Sequence, residues 1–320
     1  MDINTRSPQT FADYAYSAIA LSTKKIIKNE KGVLADEDPE YVHQMRVGLR
    51  KLRSVLIGFS PALDLPKIVE EKSIGKIAQI LGKKRDNDVL KENLLKYYYD
   101  FLNDSEKEIC QQFIEKLEEK NKGCQKNIIK TLKGKEYIEI KVSLKQWLKK
   151  PQFNLVASVP IERVANHLIS PQVSHLLLQS GWLVGTQINE KNQIIVKENY
   201  NLEEVDSLLL YHEEIIHNLR KEAKKTRYQM ELLTNCYGQS YDDFLQLVVQ
   251  AQEILGNIQD NTVLIGTIKK IIGKNWRKKL PSLNNLIINN QRQQWMNWQK
   301  IQRIFLLEMK TLNLHEIFSL

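Results

Sequence analysis

Cysteine is scarce: the 320 residues contain three, Cys110, Cys124 and Cys236. Too few and odd in number for a disulfide framework, they place the expected setting of the chain in a reducing, cytoplasmic compartment. Glycine (13) and proline (8) are also few, which excludes collagen-like and low-complexity chains and leaves little of the turn chemistry of a β protein. Long hydrophobic runs are missing as well. No stretch approaches the roughly 18 uninterrupted apolar residues of a membrane span. The short apolar stretch that follows Asp2, Arg6 and Asp13 lacks the length and cleavage site of a signal sequence. Neither export nor a membrane partner is expected.

What is present is an ordinary folded composition, 42% hydrophobic and 27% charged, with 47 Lys and Arg against 38 Asp and Glu. The resulting +9 favours an anionic partner without naming the anion. Apolar residues at helical spacing predict helices over 9–30, 39–60, 66–100 and 104–133, and again over 161–185, 203–236, 241–272 and 282–312. Residues 186–200 read as a loop or small insertion. Lys149-Lys150-Pro151 through Pro160 reads as a linker, since proline limits helix continuation. The expectation is an all-α protein with an N-terminal half at 1–150, a linker at 151–160 and a C-terminal half at 161–320.

Two internal matches support duplication. HQMRVGLRKLR at 43–53 and HNLRKEAKKTR at 217–227 share His-x-x-Arg-x-x-x-basic-Lys-x-Arg, while LGKKRDNDVL at 81–90 and LGNIQDNTVL at 255–264 share Leu-Gly-x-x-x-Asp-Asn-x-Val-Leu. Both pairs stand at the same offset of 174 residues. On a helix, His43, Arg46, Arg50 and Arg53 fall within a sector of about 80° and form a ridge about 15 Å long. Met45, Leu49, Leu52, Leu56 and Phe59 lie opposite, as a core-facing stripe should. The second copy repeats this with His217, Arg220, Lys224 and Arg227 against Leu219, Ala223, Met230 and Leu233; Lys51 and Lys225 flank the ridges at matched positions.

A charged face is by default a solvated one, but solvated faces mix signs because like charges at i,i+4 repel. Residues 43–57 contain no acid, and Glu222 is expected to lie off the second ridge. A self-repelling ridge present twice points to an anion that supplies the missing charge, and the planar fork of arginine suits phosphate. Gly82 and Gly256 are expected to admit a close neighbour. Asp86 and Asp260 are candidates to orient a cation of the ridge helix. Lys83, Lys84 and Arg85 have no basic counterparts at Asn257, Ile258 and Gln259, so the copies are not equivalent.

Other chemistry is poorly supported. The six histidines, at 43, 167, 175, 212, 217 and 315, form no His-x-x-x-His pair, and HEEIIH at 212–217 misses the zinc pattern by one position. There is no Gly-x-Ser-x-Gly elbow and no phosphate-cradling glycine loop. No metal, cofactor or catalytic residue is therefore expected, and the chain is not read as an enzyme. Nucleic acid is the serious rival ligand, because a basic ridge also tracks a sugar-phosphate backbone. The ridges, however, lack the interleaved aromatics on which bases stack. Trp276, Trp295, Trp298 and Phe305 near the C-terminus mark either a protein interface or the closure of the second bundle.

Taken together, VHQMRVGLRKLRSVL, LGKKRDNDVL, HNLRKEAKKTRY and LGNIQDNTVL resemble the CHAD domain, the conserved histidine α-helical domain, in matching order over nearly the whole chain. The resemblance implies two pseudo-twofold-related four-helix bundles around a central basic cavity that binds inorganic polyphosphate. By match to the family motif, the anion contacts are His43, Arg46, Arg50, Lys51, Arg53, Arg85, His217, Arg220, Lys221, Lys224, Lys225 and Arg227. Binding of this kind would serve targeting to polyphosphate granules. Some members of the family are fused to a triphosphate tunnel domain with a Glu-x-Glu-x-Lys strand. Residues 136–141 here read EYIEIK, with Tyr137 at the first Glu position, so a stand-alone domain is expected.

Overall fold

The computed structural model describes residues 10–197, 199–308 and 317–318. Asp2, Arg6, the first residue of the expected 9–30 helix, residues 309–312 of the expected last helix, and His315 lie outside them. Among the described residues the chain is all-α apart from one hairpin. In order it forms α1 (Phe11–Ala35), α2 (Pro39–Gly58), α3 (Glu71–Tyr97), α4 (Asp104–Leu132), α5 (Lys135–Lys149) and α6 (Ile161–Leu177). The hairpin β1 (Thr186–Ile188) and β2 (Ile194–Val196) follows, then α7 (Leu202–Tyr211), α8 (Glu213–Glu231), α9 (Gln239–Ile272), α10 (Trp276–Lys279) and α11 (Pro281–Arg303). No described helix is long and apolar enough to cross a membrane.

Contacts group the chain into two compact units. One holds the described residues up to Val89 together with Leu117–Ile169, and the other holds Leu90–Lys116 and the described residues from Ser170 onward. Helices α3, α4 and α6 thus contribute residues to both units.

In the first unit, α1 opens with a capping box in which the Asp13 amide donates to Thr10 Oγ1 (3.2 Å) and the Thr10 amide donates to Asp13 Oδ2 (3.0 Å). It ends at Asp36, whose φ of 57° is left-handed. Asp38 caps α2 and Pro39 occupies its first turn, where the missing N–H costs nothing. The short connection makes α1 and α2 antiparallel neighbours, and their facing sides bury Phe11, Ile19, Ile26, Met45, Leu49 and Leu52. Each large apolar side chain so buried contributes about 1.5–3 kcal/mol.

Helix α5 was not among the expected elements. Its β-branched Ile138, Ile140 and Val142 weaken the helical signal, yet Tyr137, Ile140, Leu144 and Trp147 share one buried face. Tyr137 donates to Glu30 Oε2 (2.9 Å), and Lys141 pairs with Glu30 at 2.7 Å. Residues 151–160, read from sequence as a linker, are anchored to this unit. Asn154 Nδ2 donates to the carbonyls of Pro61 and Leu63 (both 3.1 Å), and the Phe11 amide donates to Val159 (3.0 Å).

In the second unit, the expected helix 161–185 stops at Leu177. Gln179 turns extended and Trp182 Nε1 donates to the Leu176 carbonyl (2.8 Å), satisfying an acceptor at the helix end. The expected insertion at 186–200 is the hairpin, paired Thr186 to Val196 and Ile188 to Ile194 with Asn192 left-handed at φ 56°. The expected helix 203–236 is broken at His212, beyond which Glu213 and Glu214 start α8 where the helix dipole favours acids. Trp182 stacks on Trp298 (5.1 Å between centroids) and on Phe305 (4.1 Å). Trp276, Trp295, Trp298 and Phe305 are all buried. They close the core of this unit, which corrects the interface alternative.

Candidate anion-binding ridges

The amphipathic pattern of α2 turns Val42, Met45, Leu49, Leu52 and Val55 into the core of the first unit. By the helical period, the opposite side then carries His43, Arg46, Arg50 and Arg53 half-buried, with Lys51 exposed beside them. Helix α8 does the same in the second unit: Leu219, Ala223 and Met230 are buried, His217, Arg220, Lys224 and Arg227 are half-buried, and Lys221 and Lys225 are exposed. Equivalent positions therefore share their degree of burial as well as their chemistry.

Each ridge lies against the helix that carries the Leu-Gly motif. A Cβ built on Gly82 of α3 would stand 2.4 Å from Arg46 Nη1, so the missing side chain is the seat of that guanidinium. Arg46 donates to the Ala78 carbonyl (3.2 Å) and lies 3.9 Å from Asp86 Oδ1, as expected of Asp86 from sequence. In the second unit a Cβ on Gly256 would lie 3.7 Å from Arg220 Nε. That Nε is buried and has no hydrogen-bond partner among the described residues. One arginine thus rests on one glycine in each copy, 174 residues apart.

The histidines are held differently. His43 titrates below its ordinary 6.5 because burial disfavours the imidazolium, and Arg85, Arg50 and Arg46 add repulsion against the opposing pull of Glu40. Arg85 is thereby placed with the first ridge. Its counterpart Gln259 stands 2.9 Å (Oε1) from His217 Nδ1, so the position that broke the basic pattern orients the second histidine. Lys84, by contrast, is buried and bonded to Asp36 and to Gln125 Oε1 (2.9 Å), while Gln125 donates to the Val33 carbonyl (2.7 Å). It ties helices together and is not part of the ridge surface.

Two sequence expectations need correction. The ridges are not free of acids, because Glu71 at the start of α3 pairs with Arg53 (Nε to Oε1 2.7 Å) and Glu231 accepts from Arg227 Nε (2.8 Å). Glu222 is also not isolated from its ridge, lying 3.6 Å from Lys225 Nζ. Burial raises the pKa of its carboxyl, but Gln172, His175 and Lys225 hold it below the ordinary carboxylate range. Sequence reasoning missed Glu71, which reaches Arg53 through tertiary packing. Glu231 was discoverable, four residues after Arg227 on the same helix. Among the described residues no three His, Cys, Asp or Glu side chains stand together as a metal site.

The family model for the CHAD domain matches residues 17–269. Among solved structures, that of the CHAD domain from the plant Ricinus communis is similar at a TM-score of 0.64 and 19% identity, covering 95% of this chain and 94% of that one. PptA from Streptomyces chartreusis is similar at a TM-score of 0.58 and 12% identity, covering 93% and 98%. At these identities the two structures support the fold alone. No curated protein matches the chain.

Proposed function

Because the chain belongs to the CHAD domain family, we propose that it binds inorganic polyphosphate through the ridges of α2 and α8, without catalysis. CHAD domains are associated with polyphosphate and triphosphate binding. The observation that carries the proposal is the paired seat, Arg46 on Gly82 and Arg220 on Gly256, each three residues after its histidine. A guanidinium fixed by packing loses little freedom when it meets a phosphate, and Arg220 is held with its Nε buried over Gly256. His43, Arg50, Lys51, Arg53 and Arg85 extend the first contact set, and His217, Lys221, Lys224, Lys225 and Arg227 the second. The halves at 1–150 and 161–320 would each carry one ridge. Granule targeting in the cytoplasm is the cellular role that this binding would serve.

The test replaces Arg46, Arg50, Arg220 and Arg227 with alanine together. Charge-assisted hydrogen bonds are worth about 1.5–3 kcal/mol each, so affinity should fall by about 100-fold or more while helicity by circular dichroism is unchanged. Full retention of binding would remove the ridges from the account.

A further inference from the structure

Helix α9, which carries Gly256 and Gln259 against the second ridge, also lines a polar cavity of about 130 Å³ within the second unit. Its walls come from the tail of α3 (Asn93 and Tyr97), from α9 (Asn257 and Asp260) and from α11 (Asn290 and Gln294). A chain of hydrogen bonds holds the walls in place: the Tyr98 hydroxyl donates to Asn261 Oδ1 (2.9 Å), and Asn261 Nδ2 donates to Asn290 Oδ1 (2.8 Å). Burial pushes the Tyr98 phenol up to about 12, so it stays a neutral donor. The size is close to that of a cavity of about 150 Å³ that takes one benzene ring, but this lining is amide, carboxylate and phenol.

The cavity and the ridge share two turns of α9. Gly256, under Arg220, is the neighbour of Asn257, and Gln259, bonded to His217, is the neighbour of Asp260. At 1.5 Å of rise and about 100° of turn per residue, the cavity wall and the groups that meet the ridge are within a few ångströms along the helix, on adjoining faces of it. In the first copy Lys83 stands where the second has Asn257, and Asn87, the counterpart of Asn261, is bonded to Asn121 (2.8 Å), so the two copies differ in charge at this wall. Tyr97 is half exposed at the rim, with the Lys96 ammonium 5.0 Å from its ring centroid.

Resting on the polyphosphate reading of the ridge, we propose that this cavity takes a nucleobase, so that the second ridge binds nucleoside 5′-triphosphates whose base carries an exocyclic amine. The Tyr97 ring supplies a stacking face. The side-chain amides bond the edge of a heterocycle, and the Asp260 carboxylate accepts from the amine, as carboxylates do from the cytosine amine. A base with a carbonyl at that position would set oxygen against the carboxylate.

Cytidine and uridine triphosphates differ at that position of the base, and tripolyphosphate lacks the base altogether. Calorimetric titration of the full chain with all three should show cytidine triphosphate binding about tenfold tighter than tripolyphosphate, with uridine triphosphate close to tripolyphosphate. Tyr97→Leu and Asn257→Leu should each bring cytidine triphosphate to the tripolyphosphate level and leave tripolyphosphate unchanged. Tyr97 is half exposed, so its replacement is not expected to unfold the chain. If tripolyphosphate binds but the two nucleotides bind equally, the base pocket is refuted and the ridge stands. If none of the three binds to protein of native helicity, the ridge reading fails and this inference with it.

Discussion

Arg46 and Arg220 occupy matched seats with different clearances, and this makes their roles separable by small substitutions. A methyl group at Gly82 collides with Arg46 Nη1 at 2.4 Å, whereas at Gly256 it meets Arg220 Nε at an ordinary 3.7 Å. Alanine gains about 1 kcal/mol of helix propensity over glycine at either place. Gly256→Ala should therefore raise the melting temperature and leave polyphosphate affinity unchanged, while Gly82→Ala should cost about tenfold in affinity by displacing one charge-assisted contact. Both are read from thermal melts and calorimetric titration. His43 offers a second residue-scale test. Its pKa in the folded chain is below 6.5, so the unfolded chain binds more protons, and stability should fall as pH drops through and below that value. A bound polyanion offsets Arg85, Arg50 and Arg46 and favours the imidazolium, so affinity should strengthen over the same fall in pH. His43→Gln should weaken both dependences; affinity that is flat between pH ~5.5 and ~8 in the native chain would deny His43 an anion contact.

Helix α3 presents Lys83, Lys84 and Arg85 in succession, and its helical phase gives the last two opposite tasks. The Lys84 side chain is 5% exposed and pairs with Asp36, itself 47% exposed. Lys84→Ala should cost about 1–3 kcal/mol, seen as a lower denaturant midpoint, without loss of polyphosphate affinity. Arg85→Ala should do the reverse. The run of three basic residues could not disclose this division, because it depends on Asp36 and Gln125, far away in the chain. Where the sequence was legible, the reason was an uninterrupted 3.6-residue apolar period: α1 to α4 and α9 follow from it, α8 as part of a longer expected helix, and so do the buried residues opposite each ridge, except Leu56, which is half-buried. The break at His212 was not legible, since Leu208–Tyr211 continues the apolar pattern without proline or glycine, and Leu210 and Tyr211 then emerge exposed. Helix α5 was hidden by β-branched residues whose burial only the fold supplies. Within the site, the ridges could be read from spacing, but Glu71 could not, being brought to Arg53 by the packing of α3 on α2.

Over the whole molecule, the offset of 174 residues seen in sequence reappears as matched burial on α2 and α8 and as matched arginine seats on α3 and α9. The likeness is not complete. The first copy gathers Arg46, Arg50 and Arg85 around a histidine whose pKa they and burial lower, and the second uses Gln259 to orient its histidine and has an amide-lined cavity on the same helix α9. A net charge of +9 draws in any polyanion, so affinity for polyphosphate by itself does not distinguish a built site from a charged surface. Competition does. The most direct measurement titrates the chain, already loaded with labelled long-chain polyphosphate, with single-stranded DNA and RNA at low and at physiological salt. Polyphosphate should stay bound at the higher salt when nucleic acid is in excess, because seated arginines and histidines contribute beyond counterion release. Displacement of polyphosphate in proportion to charge, with the same steep salt dependence for every polyanion, would contradict the account.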